Sequence, residues 1–163
     1  MPSFYWLDAN VFIQAHRYYY RFQIAPGFWT ALEANARADK LRSPQKVLDV
    51  EIAINRDALA TWTRQLASIL FVPDGKDEQQ AVGQISQHVL GKYARAYADP
   101  FLAKADPWVI AHALVNNGII VTQERREAPS YPKPKIPNVA DYFGVKSVDT
   151  FEFLDRLGVK LIV

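Results

Sequence analysis

The sequence predicts an α/β fold, a three-layer α/β/α sandwich with a central, mostly parallel sheet, and three observations predict it. Short apolar runs alternate with longer stretches of helical spacing, the pattern of strand–helix units rather than hairpins. The strand-like runs are apolar throughout, as strands covered on both faces must be. Proline or glycine punctuates most of the junctions. The 163 residues are half hydrophobic and 13% aromatic, enough for a sizeable core but short for two ordinary domains. One domain spanning 1–163 is therefore expected.

Taken in order, Phe4-Tyr5-Trp6-Leu7 reads as a buried first strand ending at Asp8, and residues 11–20 as a helix. Residues 27–40 are alanine-rich, with Phe28, Ala31, Leu32 and Ala36 near helical spacing and Pro26 just ahead, which gives a second helix. Ser43-Pro44 reads as an N-cap and first-turn proline opening a helix over 45–55, with further helix to 68. Leu70-Phe71-Val72 is a short strand running into the turn Pro73-Asp74-Gly75. Residues 77–97 are helical with a break at Gly91. Asp106-Pro107 opens a strongly apolar helix to Asn117, capped by Gly118, and 119–122 is a buried strand. The next stretch, 124–137, holds four prolines among Lys and Arg and reads as a surface loop. A short helix (139–143), a strand (145–148), a helix (151–157) and a terminal apolar segment complete the chain.

Composition excludes several functions. Without cysteine there is no disulfide, thiol nucleophile or cysteine-ligated zinc. No apolar run approaches the roughly 20 residues that a bilayer-spanning helix needs. The first residues lack a basic region followed by an apolar stretch and a cleavage site, so a cytoplasmic location without membrane association is expected. A net charge of +2 says little about partners.

In an open parallel sheet ligands collect at the carboxyl ends of the strands, so the acids there carry the chemistry. Asp8 ends the first strand, Glu124 follows Thr122 at the end of a later one, and Asp106 opens the helix leading into it. Each has an ordinary reading: Asp8 and Asp106 as helix caps, Glu124 as a solvated loop acid, and Asp99 before Pro100 as a turn starter. Glu51 is harder to dismiss. Helical spacing sets it on one face with Val47, Val50 and Ile54, where an ionised carboxylate needs a partner, a shifted pKa or a cation. Several carboxylates converging at a strand edge repel one another, and a hard cation such as Mg²⁺ or Mn²⁺ resolves that repulsion. His16, His88 and His112 are too dispersed for a histidine mechanism, and His112 reads as a packed helix residue.

The runs Tyr5-Trp6-Leu7-Asp8-Ala9-Asn10-Val11-Phe12-Ile13, Val47-Leu48-Asp49-Val50-Glu51-Ile52, Ala105-Asp106-Pro107-Trp108-Val109-Ile110-Ala111 and Val121-Thr122-Gln123-Glu124 resemble, in order and spacing, those of the PIN-domain family. That family includes the VapC-like toxin ribonucleases of toxin–antitoxin systems. The resemblance implies a Mg²⁺- or Mn²⁺-dependent endoribonuclease with Asp8, Glu51, Asp106 and Glu124 as metal-binding and catalytic acids. It also implies Asn10 and Thr122 as polar supports of the site. It further implies an RNA substrate, a small antitoxin partner and a homodimer. Glu124 stands where the family more often has Asp, and Pro107-Trp108 where small residues are common. The interleaved segment His16-Arg17-Tyr18-Tyr19-Tyr20-Arg21-Phe22 offers Arg17 and Arg21 to RNA, and Arg125, Arg126, Lys133 and Lys135 flank the site; aromatics at this spacing also pack as core or dimer contacts. A catalytically idle scaffold of the same fold and a metal-dependent phosphatase are the rival readings.

Overall fold

The computed structural model describes residues 4–162. The expectations for the first three residues, and for the ends of the span 1–163, lie outside the described residues. Five strands, β1 (Tyr5–Leu7), β2 (Leu41–Pro44), β3 (Phe71–Val72), β4 (Ile119–Val121) and β5 (Ser147–Val148), form one sheet in the order β3-β2-β1-β4-β5. Every pairing is parallel. The helices are α1 (Ala9–Gln14), α2 (Pro26–Arg37), α3 (Ala58–Gln65), α4 (Ala67–Leu70), α5 (Lys76–Lys92), α6 (Arg95–Ala103), α7 (Asp106–Val115), α8 (Ile136–Tyr142) and α9 (Thr150–Leu157).

Alternation along β1 sorts the layers, because successive strand side chains point to opposite faces. Tyr5 meets Phe153 of α9 edge-on, whereas Trp6 packs on His112 of α7, which lies against α5. Gly118 passes so close to Trp6 that a Cβ there would stand 2.5 Å from the indole. Its role is to admit that ring. The left-handed residue ending α7 is Asn117, not Gly118 as expected.

The largest departure from expectation lies at Leu41–Pro44, which forms β2 instead of opening a helix. Ser43 is fully buried and its Oγ donates to the Leu7 carbonyl, so its hydroxyl serves the sheet rather than a helix terminus. Pro44 ends the strand, where a missing N–H costs least. Helix does begin at Gln45, but Val47–Ile52 winds as a wider π-type turn and Ala53–Asn55 as a 3₁₀ turn. Left-handed Arg56 then breaks the chain before α3. A second π-type segment, Ala15–Tyr19, extends α1 and closes with the Tyr20 amide donating to the Ala15 carbonyl. The break between α5 and α6 falls at Tyr93 and Ala94, two residues beyond Gly91, and Pro100 is accommodated inside α6.

The chain builds outward from β1 through β2 to β3, then returns across the sheet to β4 on the other side of β1. The carboxyl ends of β1 and β4 therefore flank a topological switch point, the usual place for a ligand in such a sheet. Asp8 follows β1 there, and Thr122 and Glu124 follow β4.

Candidate active site

Asp8 occupies the N-cap of α1, with Oδ1 accepting from the Ala9 amide at 2.7 Å. That bond leaves Oδ2, which accepts from the Thr122 hydroxyl at 2.9 Å. Thr122 in turn accepts from Asn10 Nδ2 and from the Glu124 amide, while Asn10 Oδ1 accepts from the Gln123 amide. This network ties the end of β1 to the end of β4 and fixes the Asp8 carboxylate, which is 3% exposed. Asn10 and Thr122 are thus hydrogen-bonded into the network that holds Asp8.

Asp106 is the first residue of α7, not its cap: Ala105 holds the cap position. Among the described residues no hydrogen bond reaches the Asp106 carboxylate, although the residue is only 9% exposed. Glu51 arrives by a route that ordinary helical spacing misjudges. On the π-type turn the buried apolar residues are Val47, Leu48 and Ile52, while Val50 and Ile54 face outward. The expected face of Val47, Val50, Glu51 and Ile54 does not form. Glu51 nevertheless points inward, with Oε2 buried and without a hydrogen-bond partner.

One carboxylate oxygen from each of Asp8, Glu51 and Asp106 lies within 4.8 Å of the others. Such crowding is unfavourable to ionise. Burial, followed by the charges of Glu124 and Glu51, pushes the Asp8 carboxyl up to about 8. Burial and the charges of Asp8, Glu124 and Glu51 hold Asp106 well above the usual carboxylate range. Burial also raises Glu51. The donor set is all oxygen, with a buried orphan among its atoms, and this fits a hard divalent cation.

Glu124 faces the same cleft but stands outside that trio. Its Oε2 accepts from the Ile136 amide at 2.7 Å and so closes the N-terminus of α8. Of the expected RNA contacts, Arg17 lines the acidic cleft beside Tyr18, which is 65% exposed, and Lys133 and Lys135 line an adjoining one. Arg126 donates from Nε and Nη2 to the two carboxylate oxygens of Asp141, and Arg21 donates to the Arg17 carbonyl. Arg125 lies on a third cleft with Tyr19 and Phe151. Tyr20 and Phe22 pack on Phe28 and Trp29, while Tyr18 and Tyr19 stay exposed, so the aromatic segment divides between core and surface. Asp99 pairs with Arg95 along α6 rather than starting a turn. Lys104, missed in the sequence because it is a lone lysine between helices, sits at the rim of the trio.

A five-stranded, all-parallel sheet flanked by helices, with acids gathered at its switch point, defines an α/β protein of PIN-like fold. The chain belongs to the family described as "Domain of unknown function (DUF4411)", whose model matches residues 5–161. Among solved structures it is similar to a chain of VapBC2 from Rickettsia felis, crystallised bound to a DNA fragment from their promoter. That likeness has a TM-score of 0.54 at 14% identity and covers 90% of this chain and 98% of the other, and so speaks for the fold. No curated protein matches the sequence. No helix among the described residues is long and apolar enough to cross a membrane.

Proposed function

We propose that this chain is a Mg²⁺- or Mn²⁺-dependent endoribonuclease of the cytoplasm, acting as the toxin of a toxin–antitoxin pair. The observation that carries the reading is the convergence of Asp8 and Asp106, both buried, with half-buried Glu51, their ligand oxygens within 4.8 Å of one another. Asp8 and Asp106 would hold the cation and Glu51 would complete the set. When bound, the cation neutralises phosphodiester charge and lowers the pKa of water. Asn10 and Thr122 keep the Asp8 carboxylate aimed. Glu51, whose Oε2 is buried without a hydrogen-bond partner, would orient the attacking water and take its proton. The water oxygen bonds to phosphorus in line as the bond to the leaving ribose oxygen breaks, and that oxygen is protonated from solvent. Glu124, with one oxygen committed to Ile136, holds the α8 loop against the cleft.

The test is incubation of the pure protein with RNA and with a chromogenic phosphoester, in Mn²⁺ and in EDTA. Cleavage of RNA that EDTA abolishes supports the reading. Turnover of the phosphoester alone makes the protein a phosphatase, and inertness towards both makes it a scaffold. The antitoxin and the homodimer rest on family resemblance and on the likeness to a VapBC2 chain. Light scattering on the protein alone, and with the product of a neighbouring small gene, tests both.

A further inference from the structure

Two clefts meet at the acids. One, about 280 Å³, is lined by Asp8, Glu51, Asp106, Arg17 and Tyr18; the other, about 370 Å³, by Tyr97, Lys133, Pro134 and Lys135. Lys104, Asp106 and Glu124 belong to both walls. Of these shared residues Lys104 is the cation.

The local fold fixes this position. Lys104 ends α6 in an extended conformation, and only Ala105 separates it from Asp106 at the start of α7. The connection is too short to swing away. Among the described residues Lys104 makes no salt bridge, a property it shares with every other lysine; what sets it apart is its place on the walls of both clefts beside Asp106. Lys133 and Lys135 likewise lack carboxylate partners, and their ammonium groups stand over Tyr97 and Tyr131.

We propose that Lys104 is a catalytic residue that holds a non-bridging oxygen of the scissile phosphate, and that Lys133 and Lys135 bind the next phosphate of the same strand. This rests on the nuclease reading above and adds to it the path of the RNA. Lys104 forms no covalent bond and transfers no proton. It offsets the charge that gathers on phosphorus oxygens as water adds and the ribose oxygen leaves. A flexible ammonium suits that task as a point charge.

The proposal separates cation binding from phosphate handling, and the experiment reads both. Lys104→Met, Lys104→Arg and the double variant Lys133→Met/Lys135→Met are compared with wild type. Calorimetry measures Mn²⁺ affinity, fluorescence anisotropy measures binding of a short single-stranded RNA against salt in EDTA, and cleavage is timed at saturating Mn²⁺. Lys104→Met should bind Mn²⁺ at least as tightly as wild type, because a competing positive charge is gone, yet cleave about a hundredfold more slowly. Lys104→Arg should recover part of that loss. The double variant should reduce the salt slope of RNA binding by about 0.7 per lysine removed. Wild-type cleavage by Lys104→Met overturns the catalytic role, as does parallel loss of Mn²⁺ binding and cleavage, which would mark a structural lysine. An unchanged salt slope in the double variant overturns the path. If wild type itself leaves RNA intact, the nuclease reading falls first and this proposal with it; if wild type cuts and Lys104→Met cuts equally, only this proposal falls.

Discussion

The two ends of α7 both bury ionisable groups, and the chain treats them in opposite ways. In the last turn His112 is fully buried, its Nε2 3.0 Å from Asp74 and its Nδ1 4.0 Å from Glu78, with its ring against Trp6. Acids have been brought to a base, and Asp74 supplies the complement at Nε2, although Nδ1, like Glu51 Oε2, is buried without a hydrogen-bond partner. In the first turn Asp106 meets Asp8 and Glu51, and the charge that eases it comes from Lys104 at the rim. Like groups have been brought together. A folded chain tolerates the first arrangement indefinitely, but the second costs free energy unless protons or a cation supply the missing positive charge. The last turn of α7 thus holds opposite charges together, whereas its first turn gathers acids that could hold a cation.

The largest effect that sharpens the comparison is expected for Asp106→Asn. Because Asp106 is not a cap, its amide variant loses no helix-terminal bond, and it removes one charge from a repelling group. Its metal-free melting temperature should equal or exceed that of wild type, while RNA cleavage in Mn²⁺ should fall by about a hundredfold or more. A folded variant that cleaves at the wild-type rate would remove Asp106 from the site. The opposite profile is expected at the other end of the helix. His112→Leu leaves Asp74 and Glu78 without their partner and should cost about 3 kcal/mol in denaturant unfolding. Its Mn²⁺ affinity should match wild type; a large change would show that the two ends are coupled.

A smaller effect is the pH dependence of the metal-free fold. Asp8 is pushed up to about 8, first by burial and then by Glu124 and Glu51, so the fold favours the protonated acid. The stabilisation from this group is complete below the ordinary carboxylate range of about 4 and is lost as pH rises through the folded value. In EDTA the melting temperature should therefore fall between mildly acidic and mildly alkaline pH, and Asp8→Asn should flatten that fall. A wild-type curve that rises over this range would contradict the placement of Asp8. The smallest effect concerns Glu124. Glu124→Gln keeps an acceptor for the Ile136 amide and should change stability by less than about 0.5 kcal/mol, whereas Glu124→Ala should cost about 1 kcal/mol. Equal losses in thermal melts would show that the carboxylate charge, not the hydrogen bond, holds α8.

Sequence alone revealed the acids more readily than the shape that holds them. β1, α2, α7 and β4 are long or apolar enough to declare their type, and Asp8, Asp106, Asn10 and Thr122 follow from where those elements end. β2 was hidden because Ser43-Pro44 is a strong helix-opening signal; the competing demand, a buried hydroxyl bonded to Leu7 inside the sheet, is tertiary and leaves no local mark. Glu51 emerged from an argument about a face that does not exist. The apolar residues around it did mark a buried segment, but its π-type winding sets Val47 and Ile52 on the inside, five positions apart. Lys104 and the Arg126–Asp141 pair were invisible for a plainer reason: which exposed cation meets which acid depends on the path of the loops.

In the proposed nuclease the first turn of α7 completes a site for a divalent cation. Calorimetric titration of Mn²⁺ into the wild-type protein and into Asp8→Asn/Asp106→Asn, repeated in buffers of different ionisation heat, tests it most directly. Wild type should show saturable binding with proton release, since raised acids must deprotonate to ligate, and a melting shift worth about 2.7 kcal/mol at one hundred times Kd. The double variant should show neither. Absence of heat at millimolar Mn²⁺, or equal binding by the double variant, would mean that these acids do not hold a cation.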